Sequence, residues 1–510
     1  MNSPDIPREK CGVFGIYGHP ESAVFTYLGL YALQHRGQES AGICSRLDDG
    51  SMRFHRDMGR VAEIFPEREL RRLKGDAAIG HVRYSTTGAS RLLNAQPIYV
   101  EFDKGRLAVA HNGNLVNALQ IRHRLERQGS IFTTTTDSEV MVHLMAHSPH
   151  EAPADFIADA LREVRGSYSM VALTPNCMVA VRDPRGIRPM CLGSRTWTDD
   201  DGREHKAWIV ASESCAFGVI DAEYERPVNP GELVLITDEG LESYYPFPPH
   251  REAFCVFEYV YFAHPESRIR GRVVYDVRKE LGRRMARQLR EKGIGGDVVI
   301  SVPDSSNPAA LGLAQEAGIP YELGLIRSHY VGRTFIEPKQ QIRDFGAKLK
   351  YNAVSSVLEG REVICVDDSI VRGTTARKIV KMLKRAGAAK VHLAISCPPW
   401  RYPCYYGIDV SNYAELIANE VQSDMESIRN YIGSDTLTYL SLDNLLAATD
   451  LPRESFCHAC FDGSYRVPPV DFLESARKQL DFIGIIKPGD LPSPTQDLDE
   501  DEGDEPEWGM

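Results

Sequence analysis

The stretch Val363–Thr375, which reads VICVDDSIVRGTT, decides the fold of the second half of this 510-residue chain. Four apolar residues of strand character lead into two adjacent carboxylates, Asp367 and Asp368, and then into a loop of small and hydroxyl residues. A helix is predicted after the loop, because apolar residues recur there at helical spacing: Ala376, Ile379, Val380 and Leu383. Such a strand–loop–helix unit favours phosphate binding, since backbone N–H groups and the helix dipole both point at the loop.

The two carboxylates narrow the choice of ligand. Carboxylates beside a phosphate loop can hold sugar hydroxyls or magnesium, and a ribose 5-phosphate with a magnesium-bound pyrophosphate on C1 needs all of these features. The run resembles the phosphoribosyl pyrophosphate (PRPP) signature of the type I phosphoribosyltransferases. An acidic strand end before an ordinary capped helix is the simpler alternative, and it explains each residue alone rather than the whole run.

That resemblance assigns roles to individual residues. Asp367 and Asp368 are expected to contact the ribose hydroxyls and a magnesium ion. The VPDSSNPAA loop (302–310) is expected to approach the pyrophosphate, with Ser305 as a further magnesium ligand. The residues expected to hold the 5-phosphate are Ser369, Val371, Arg372, Gly373, Thr374 and Thr375.

Composition restricts the class of protein. The chain is 43% hydrophobic and 25% charged, which is typical of a globular protein with two large domains or three smaller ones. It has no apolar run of about eighteen residues and no N-terminal signal, so a cytoplasmic location without membrane or nucleic-acid binding is predicted. Nine acidic residues and no basic one follow Lys487, so the rest of the chain has a formal net charge of only −12 + 9 = −3. Segment 488–510 is therefore predicted to be a disordered acidic tail.

The first half combines short strand-like runs with two helical stretches, which favours a layered α+β domain. Five motifs occur there in order: CGVFGI (11–16), LQHRGQESAG (33–42), HVRYSTTG (81–88), AHNGNL (110–115) and TTTTDSEV (133–140). Together they resemble the N-terminal-nucleophile (αββα) glutaminase domain. In that family a cysteine becomes the first residue of the mature chain, and its α-amino group, with an ordinary pKa of about 7.7–8.0, serves as the base.

Here that cysteine is Cys11, so the resemblance implies removal of residues 1–10 by cleavage between Lys10 and Cys11. The side chain of Asn112 and the backbone N–H of Gly113 would form the oxyanion hole. Arg83 would bind the α-carboxylate of glutamine and Asp137 its α-ammonium group. The structural alternatives are an arginine at a strand end, an Asn-Gly turn and a helix-capping aspartate.

Eleven cysteines without an export signal argue against a disulfide framework. Cys457 and Cys460 form one CxxC, which on spacing alone leaves metal binding and core packing both open. The contexts FCVFEYVYFAHP (254–265), YPCYYGID (402–409) and CHACFDG (457–463) resemble those of a family subgroup that carries a [4Fe–4S] cluster. The ligands so implied are Cys255, Cys404, Cys457 and Cys460, and the other cysteines are expected to be buried in cores.

The two halves together resemble the amidophosphoribosyltransferase family, in its propeptide-bearing iron–sulfur subgroup. The resemblance implies glutamine and PRPP as substrates, nucleotide feedback inhibitors, a homodimer or homotetramer, and a lid at the basic segment 327–350. Two alternatives remain. One is a nucleotide sensor without catalysis, and the other is a glutaminase that serves asparagine or glucosamine-6-phosphate synthesis. The predicted divisions are a propeptide (1–10), the glutaminase domain (11–245), an α/β phosphoribosyltransferase domain with a parallel sheet (255–405), a helical C-terminal subdomain (406–485) and the tail (488–510).

Overall fold

The computed structural model describes residues 11–47, 49–84, 91–327, 351–410, 412–420 and 424–472. Three predicted segments lie outside the described residues, namely the propeptide, the acidic tail and nearly all of the basic segment 327–350. Those three expectations therefore stay predictions. Residues 85–88, the second half of the HVRYSTTG motif, also lie outside the described ranges.

Two antiparallel sheets dominate the described part of the first half. Their strands are β1 (Gly12–Tyr17), β2 (Ser40–Arg46), β3 (Met52–Met58), β4 (Ala77–Arg83), β5 (Ile98–Phe102), β6 (Gly105–Leu115), β7 (Gly166–Leu173), β8 (Met178–Arg182), β9 (Cys191–Thr198), β10 (Glu204–Ala211), β11 (Glu223–Pro227), β12 (Leu233–Thr237) and β13 (Gly240–Tyr244). One sheet has the order β11-β9-β10-β1-β4-β2-β3, and the other has the order β13-β12-β8-β7-β6-β5.

Helices cover the outer face of each sheet. They are α1 (Ser22–Ala32), α2 (Val61–Ile64), α3 (Glu67–Arg72), α4 (Ala118–Arg127), α5 (Ser138–His147), α6 (Pro153–Glu163) and α7 (Cys215–Gly218), with 3₁₀ turns at Leu33–His35 and Leu92–Asn94. In β1, Phe14 packs towards α1, whereas its neighbour Val13 packs against the second sheet. In β6, Leu107 and Val109 pack against α4 to α6. The layers are therefore helix, sheet, sheet, helix, which is the predicted αββα arrangement.

The second half is built on a parallel sheet with the order β17-β20-β21-β22. The strands here are β14 (Phe254–Cys255), β15 (Arg268–Ile269), β16 (Arg272–Val273), β17 (Val298–Ser301), β18 (Leu325–Arg327), β19 (Tyr351–Ala353), β20 (Glu362–Asp367), β21 (Lys390–Ile395), β22 (Thr436–Tyr439) and β23 (Phe456–Cys457). The carboxyl ends of β17 and β20 are adjacent, so the loops after them meet at one edge of the sheet.

The helices of this half are α8 (Val274–Glu291), α9 (Asn307–Ala317), α10 (Ser355–Leu358), α11 (Thr374–Arg385), α12 (Ile417–Glu420), α13 (Met425–Ile432), α14 (Leu442–Ala447) and α15 (Ala459–Asp462). A π-helix covers Glu258–Phe262, and 3₁₀ turns occur at Tyr413–Glu415, Arg453–Ser455 and Val470–Phe472. α11 is the helix predicted after the phosphate loop, and it buries the four apolar residues that predicted it.

The segment expected to be a helical subdomain is only partly helical in its described part. Strand β22 lies within it and extends the parallel sheet through register pairs with β21. Its buried residues belong to the same hydrophobic core as β17 and β20. The described residues after 405 are thus part of the second half's core, because a four-residue strand completes the sheet there. A strand this short shows little periodicity in the sequence.

Candidate active sites

Cys11 lies directly before β1, the central strand of the seven-stranded sheet. The residue is buried, its carbonyl accepts a hydrogen bond from Nε of Arg36 at 3.1 Å, and its thiol lies 3.8 Å from the carbonyl of Tyr84. Its φ is 81°, in the left-handed region that residues with a side chain rarely adopt. Backbone outliers of this kind concentrate at functional sites.

Arg83 is the last residue of β4 and is buried. β4 pairs with β1 so that Val82 lies opposite Gly12. The register therefore brings Arg83 and Cys11 to the same end of two neighbouring strands. A guanidinium in this position suits a carboxylate of a ligand held beside the thiol.

Asn112 and Gly113 lie near the end of β6 in the other sheet. Asn112 is 1% exposed, and neither atom of its side-chain amide has a hydrogen-bond partner among the described residues. A buried amide without a partner is costly, so it indicates a site that a ligand completes. Gly113 has a φ of 148°, and a Cβ there would lie 2.0 Å from the carbonyl oxygen of Ser167, so only glycine fits.

Asp137 occupies the position before α5, but its side chain makes no capping hydrogen bond to that helix. Instead, its Oδ2 accepts from the backbone N–H of Leu115 at 2.9 Å, which ties it to the end of β6. The helix-capping alternative therefore does not describe this carboxylate. Asp137 is buried close to the strand that carries Asn112 and Gly113.

Two histidines that the sequence analysis did not single out connect the sheets at this point. Nε2 of His81, two residues before Arg83, lies 3.1 Å from the carbonyl oxygen of His111, the residue before Asn112. Burial lowers the pKa of His81 to about 3, so the neutral ring donates this hydrogen bond. Both histidines lie inside motifs that were recognised, and only the fold shows that they meet.

Asp367 is the last residue of β20 and Asp368 follows it, and both are buried. Ser305, from the loop after β17, donates from its hydroxyl to Oδ2 of Asp368 at 2.6 Å, and Ser306 donates to Oδ1 of Asp367 at 3.3 Å. Ser369 donates to the other oxygen of Asp368 at 2.6 Å. The three residues predicted to bind magnesium thus lie together, and Ser306 is an addition that sequence reasoning missed.

The loop from Ser369 ends at Gly373, which has a φ of 75° and occupies the N-cap position of α11. A Cβ on Gly373 would lie 2.5 Å from Cδ1 of Ile417, so this close approach requires glycine. Thr374 and Thr375 form the first turn of α11, where a helix favours an anion. Arg372, predicted to contact phosphate, forms an ion pair with Glu415 in this structure.

The four cysteines chosen by context come together where the two halves meet. β14 pairs with β23 in parallel, with Cys255 opposite Cys457. Burial raises the pKa of the Cys460 thiol, and the neighbouring thiols of Cys255, Cys404 and Cys457 raise it further. Burial likewise raises the pKa of Cys457 to about 12. Cys397, which is outside the predicted set, raises the pKa of Cys460 in the same way, and none of these thiols forms a disulfide.

A buried group of charges connects the Cys11 region with the second half. Arg36 forms ion pairs with Glu213 and, at 3.0 Å, with Glu258 of the π-helix. Arg188 binds the same carboxylate at 3.2 Å and the carbonyl of Tyr406 at 3.0 Å. Burial alone would raise the pKa of Glu213, but His35 and Arg36 outweigh it and hold that pKa well below its usual value. The carbonyl of Cys11 is thus linked to the domain junction through one guanidinium.

Known proteins match this arrangement along nearly the whole chain. The family model described as a glutamine amidotransferase domain matches residues 81–217, and that of a phosphoribosyl transferase domain matches residues 276–422. A chloroplastic amidophosphoribosyltransferase of Vigna aconitifolia is 48% identical over 482 residues, which cover 94% of this chain and 96% of the relative. The chain belongs to the amidophosphoribosyltransferase family.

Other members of the amidophosphoribosyltransferase family agree. The Bacillus subtilis protein is 46% identical over 463 residues, which cover 90% of this chain and 94% of that protein. The solved structure of glutamine PRPP amidotransferase from B. subtilis, complexed with ADP and GMP, superimposes with a TM-score of 0.81 and covers 90% of this chain and 97% of the other. Within the described ranges, no helix has the length and apolar character that a membrane span requires.

Membership confirms the resemblance, the two-domain fold class and the enzyme class predicted from the motifs. The protein is a glutamine-dependent phosphoribosyltransferase, and its two domains fit the amination of PRPP in purine biosynthesis. The phosphoribosyl transferase domain excludes the alternatives in which the glutaminase serves asparagine or glucosamine-6-phosphate synthesis. The relatives carry the name of an enzyme, which contradicts the alternative of a sensor without catalysis.

Proposed function

We propose that glutamine is hydrolysed at Cys11 and that the ammonia then displaces pyrophosphate from PRPP beside Asp367 and Asp368, giving 5-phosphoribosylamine. The observation that supports this most directly is the buried, unpartnered amide of Asn112 beside Gly113. An acyl-transfer site needs donors of this kind aimed at the oxygen that becomes negative. The second site then needs only to hold PRPP and exclude water.

In the proposed glutaminase step, the thiol of Cys11 attacks the side-chain amide carbon of glutamine, and the α-amino group of Cys11 takes the thiol proton. The amide of Asn112 and the N–H of Gly113 stabilise the resulting oxyanion. The α-amino group returns the proton to the leaving nitrogen, so ammonia departs and a thioester remains. Water hydrolyses the thioester to glutamate. Arg83 and Asp137 hold the α-carboxylate and α-ammonium groups of the substrate.

This chemistry requires Cys11 to be the first residue, so we propose cleavage between Lys10 and Cys11. The left-handed φ of Cys11 supports the idea, since backbone strain is found where chemistry occurs. We expect the active protein to begin at Cys11, without MNSPDIPREK. Intact-mass spectrometry checks this, and a fully active chain that keeps those ten residues would contradict the proposed base.

At the second site, Asp367, Asp368 and Ser305 present hard oxygen ligands from two adjacent loops, which suits Mg²⁺. Magnesium bound there would neutralise charge on the departing pyrophosphate. The carboxylates would also accept hydrogen bonds from the ribose hydroxyls. The 5-phosphate would lie at the N-terminus of α11, held by the loop from Ser369 to Thr375.

We propose that Cys255, Cys404, Cys457 and Cys460 hold a [4Fe–4S] cluster. The pairing of Cys255 with Cys457 supports this, as does the lack of a disulfide among these thiols. A cluster held there would tie β14 to β23, so we propose a structural role for it, and the reaction contains no redox step. We expect Cys457→Ser to lower iron and acid-labile sulfide several-fold and to reduce the yield of folded protein. The matched control is Cys177→Ser, a buried cysteine remote from the junction. An iron-free wild-type protein with full activity would eliminate the cluster.

We also propose nucleotide feedback inhibitors, because the B. subtilis relative was solved with ADP and GMP. A second solved structure is 46% identical with a TM-score of 0.82 and is described as the allosteric regulatory enzyme of purine biosynthesis. A homodimer or homotetramer and a cytoplasmic location remain part of the proposal. None of the eleven cysteines forms a disulfide, which supports a reducing compartment. A boundary between the two domains at 245–255 is proposed as well, because β13 ends at Tyr244 and β14 already pairs with β23.

One assay tests the whole function. Purified protein is given PRPP, magnesium and either glutamine or ammonium, and pyrophosphate release is measured. We expect release with both donors and glutamate formation with glutamine only. Absence of pyrophosphate release with both donors would overturn the proposed reaction.

A further inference from the structure

The exposed face of α11 carries a cluster of basic side chains, and no residue of the helix itself is acidic. On α4 and α8, some basic side chains pair with an acidic residue of the same helix, as in the ion pairs Arg122–Glu126 and Arg283–Glu280. α11 contains no acidic residue, although the chain as a whole has a net charge of −12. Its exposed basic residues are Arg377, Lys378, Lys381, Lys384 and Arg385.

Within the described ranges, some of these charges are paired and others are not. Lys384 forms an ion pair with Asp435 at 3.1 Å. In the part of the chain that the structure describes, Arg377, Lys381 and Arg385 have no ion pair. Like charges crowded on one helix face repel one another, so the free energy of such a face falls when an anion binds to it.

A groove of about 480 Å³ separates this face from α13. Its basic wall consists of Arg377, Lys381, Lys384 and Arg385, and its opposite wall includes Tyr431. The ring of Tyr431 is 37% exposed and lies 4.9 Å from the guanidinium of Arg377. The groove therefore offers cations together with an aromatic surface, which suits an acidic peptide that carries an aromatic residue.

We propose that the occupant is the acidic C-terminal segment of the same chain, residues 497–508, DLDEDEGDEPEW. This segment contains eight acidic residues, no basic residue, and Trp508 at its end. Phe472, the last described residue, packs against Tyr405, and 497 − 472 = 25 residues separate it from the segment. That length can span up to roughly 80 Å. A chain of this size has a radius of gyration of about 24 Å, so the groove is within reach.

Docking would also affect the proposed PRPP site. A Cβ on Gly373 would lie 3.3 Å from Cε1 of Tyr431, so a wall of the groove touches the loop that leads into α11. Lys381 is seven residues from Thr374, or about 10 Å along the helix axis. An acidic segment in the groove therefore opposes binding of the PRPP polyanion at low salt and leaves the chemical step unchanged. This consequence rests on the proposed PRPP site, whereas docking itself does not.

The first test measures docking by the fluorescence of Trp508. The signal of the other tryptophans, measured in Trp508→Phe, is subtracted. At about 10 mM salt we expect Trp508 to be protected from acrylamide quenching, and at about 1 M salt we expect this protection to be lost. Lys381→Glu with Arg385→Glu should also remove it. The control variant is Lys74→Glu with Lys292→Glu, which changes the net charge by the same amount at two exposed lysines elsewhere. It should keep the protection of Trp508. Adding Glu500→Lys and Asp501→Lys to the groove variant should restore protection.

The second test measures PRPP kinetics. A chain ending at Lys487 should have a KM for PRPP about threefold lower than the full chain at low salt, the same KM at high salt, and an unchanged kcat. Equal quenching of Trp508 in the full chain and the groove variant would overturn docking. Protection that depends on protein concentration would overturn the intramolecular occupant and show an interface between copies instead. Protection without a change in KM would leave docking standing and refute only its effect on the PRPP site.

Discussion

Replacing Cys11 by alanine is expected to reduce glutamine-dependent formation of 5-phosphoribosylamine by at least about a thousandfold, because the only proposed nucleophile is lost. Ammonium-dependent turnover should stay within about twofold of wild type. The side chain of Cys11 is small and lies in the first half of the chain, so its removal is expected to leave the second domain intact. Pyrophosphate release with each nitrogen donor measures the two effects separately.

The control is Cys177→Ala, which removes another buried thiol of the first half, away from the junction, and should leave both activities unchanged. The N-terminus of the Cys11→Ala protein should be determined as well, since a retained propeptide could block the site by itself. Equal loss of both activities in a folded Cys11→Ala protein would contradict the division into two sites.

The short motifs predicted most of the site residues, because each motif lies within a single strand end or helix start. VDDSIVRGTT covers the end of β20 and the beginning of α11, and AHNGNL covers the end of β6. In such units the functional residues are local neighbours, so their order along the chain is also their order in space. Ser305 was assigned by the resemblance alone, and its contact with Asp368 agrees with the general rule that loops at the carboxyl edge of a parallel sheet converge.

The contacts that could not be predicted from the sequence join residues that are far apart in the chain. Arg36 meets Glu258 across 222 positions of the chain, and His81 meets the carbonyl of His111 across two different sheets. Neither contact follows from periodicity or composition, because any buried charge or histidine in these motifs could have been satisfied locally. The short strand β22 was missed for another reason: four residues are too few to show an alternating pattern.

The largest loss is expected for the double substitution Asp367→Asn with Asp368→Asn. Asparagine keeps the shape of each side chain, and its amide oxygen can still accept a hydrogen bond from one serine hydroxyl. At position 368, where Ser305 and Ser369 donate to different carboxylate oxygens, the amide NH2 would instead donate to one of the two hydroxyls. Two negative charges are lost, however, and with them the ligands for magnesium and the strong acceptors for the ribose hydroxyls. We expect kcat/KM for PRPP to fall at least about a thousandfold with glutamine and with ammonium alike, which corresponds to about 4 kcal/mol of transition-state stabilisation.

This outcome is distinguishable from that of Cys11→Ala because the acceptor, rather than the nitrogen source, is removed. Slow hydrolysis of glutamine to glutamate in the absence of PRPP should persist in the double variant, since Cys11, Asn112 and Gly113 are untouched. The matched control is Asp200→Asn with Asp201→Asn, an adjacent acidic pair that is exposed at a hairpin. If the Asp367/Asp368 variant kept ammonium-dependent turnover within tenfold of wild type, the carboxylates after β20 could not be the residues that hold PRPP.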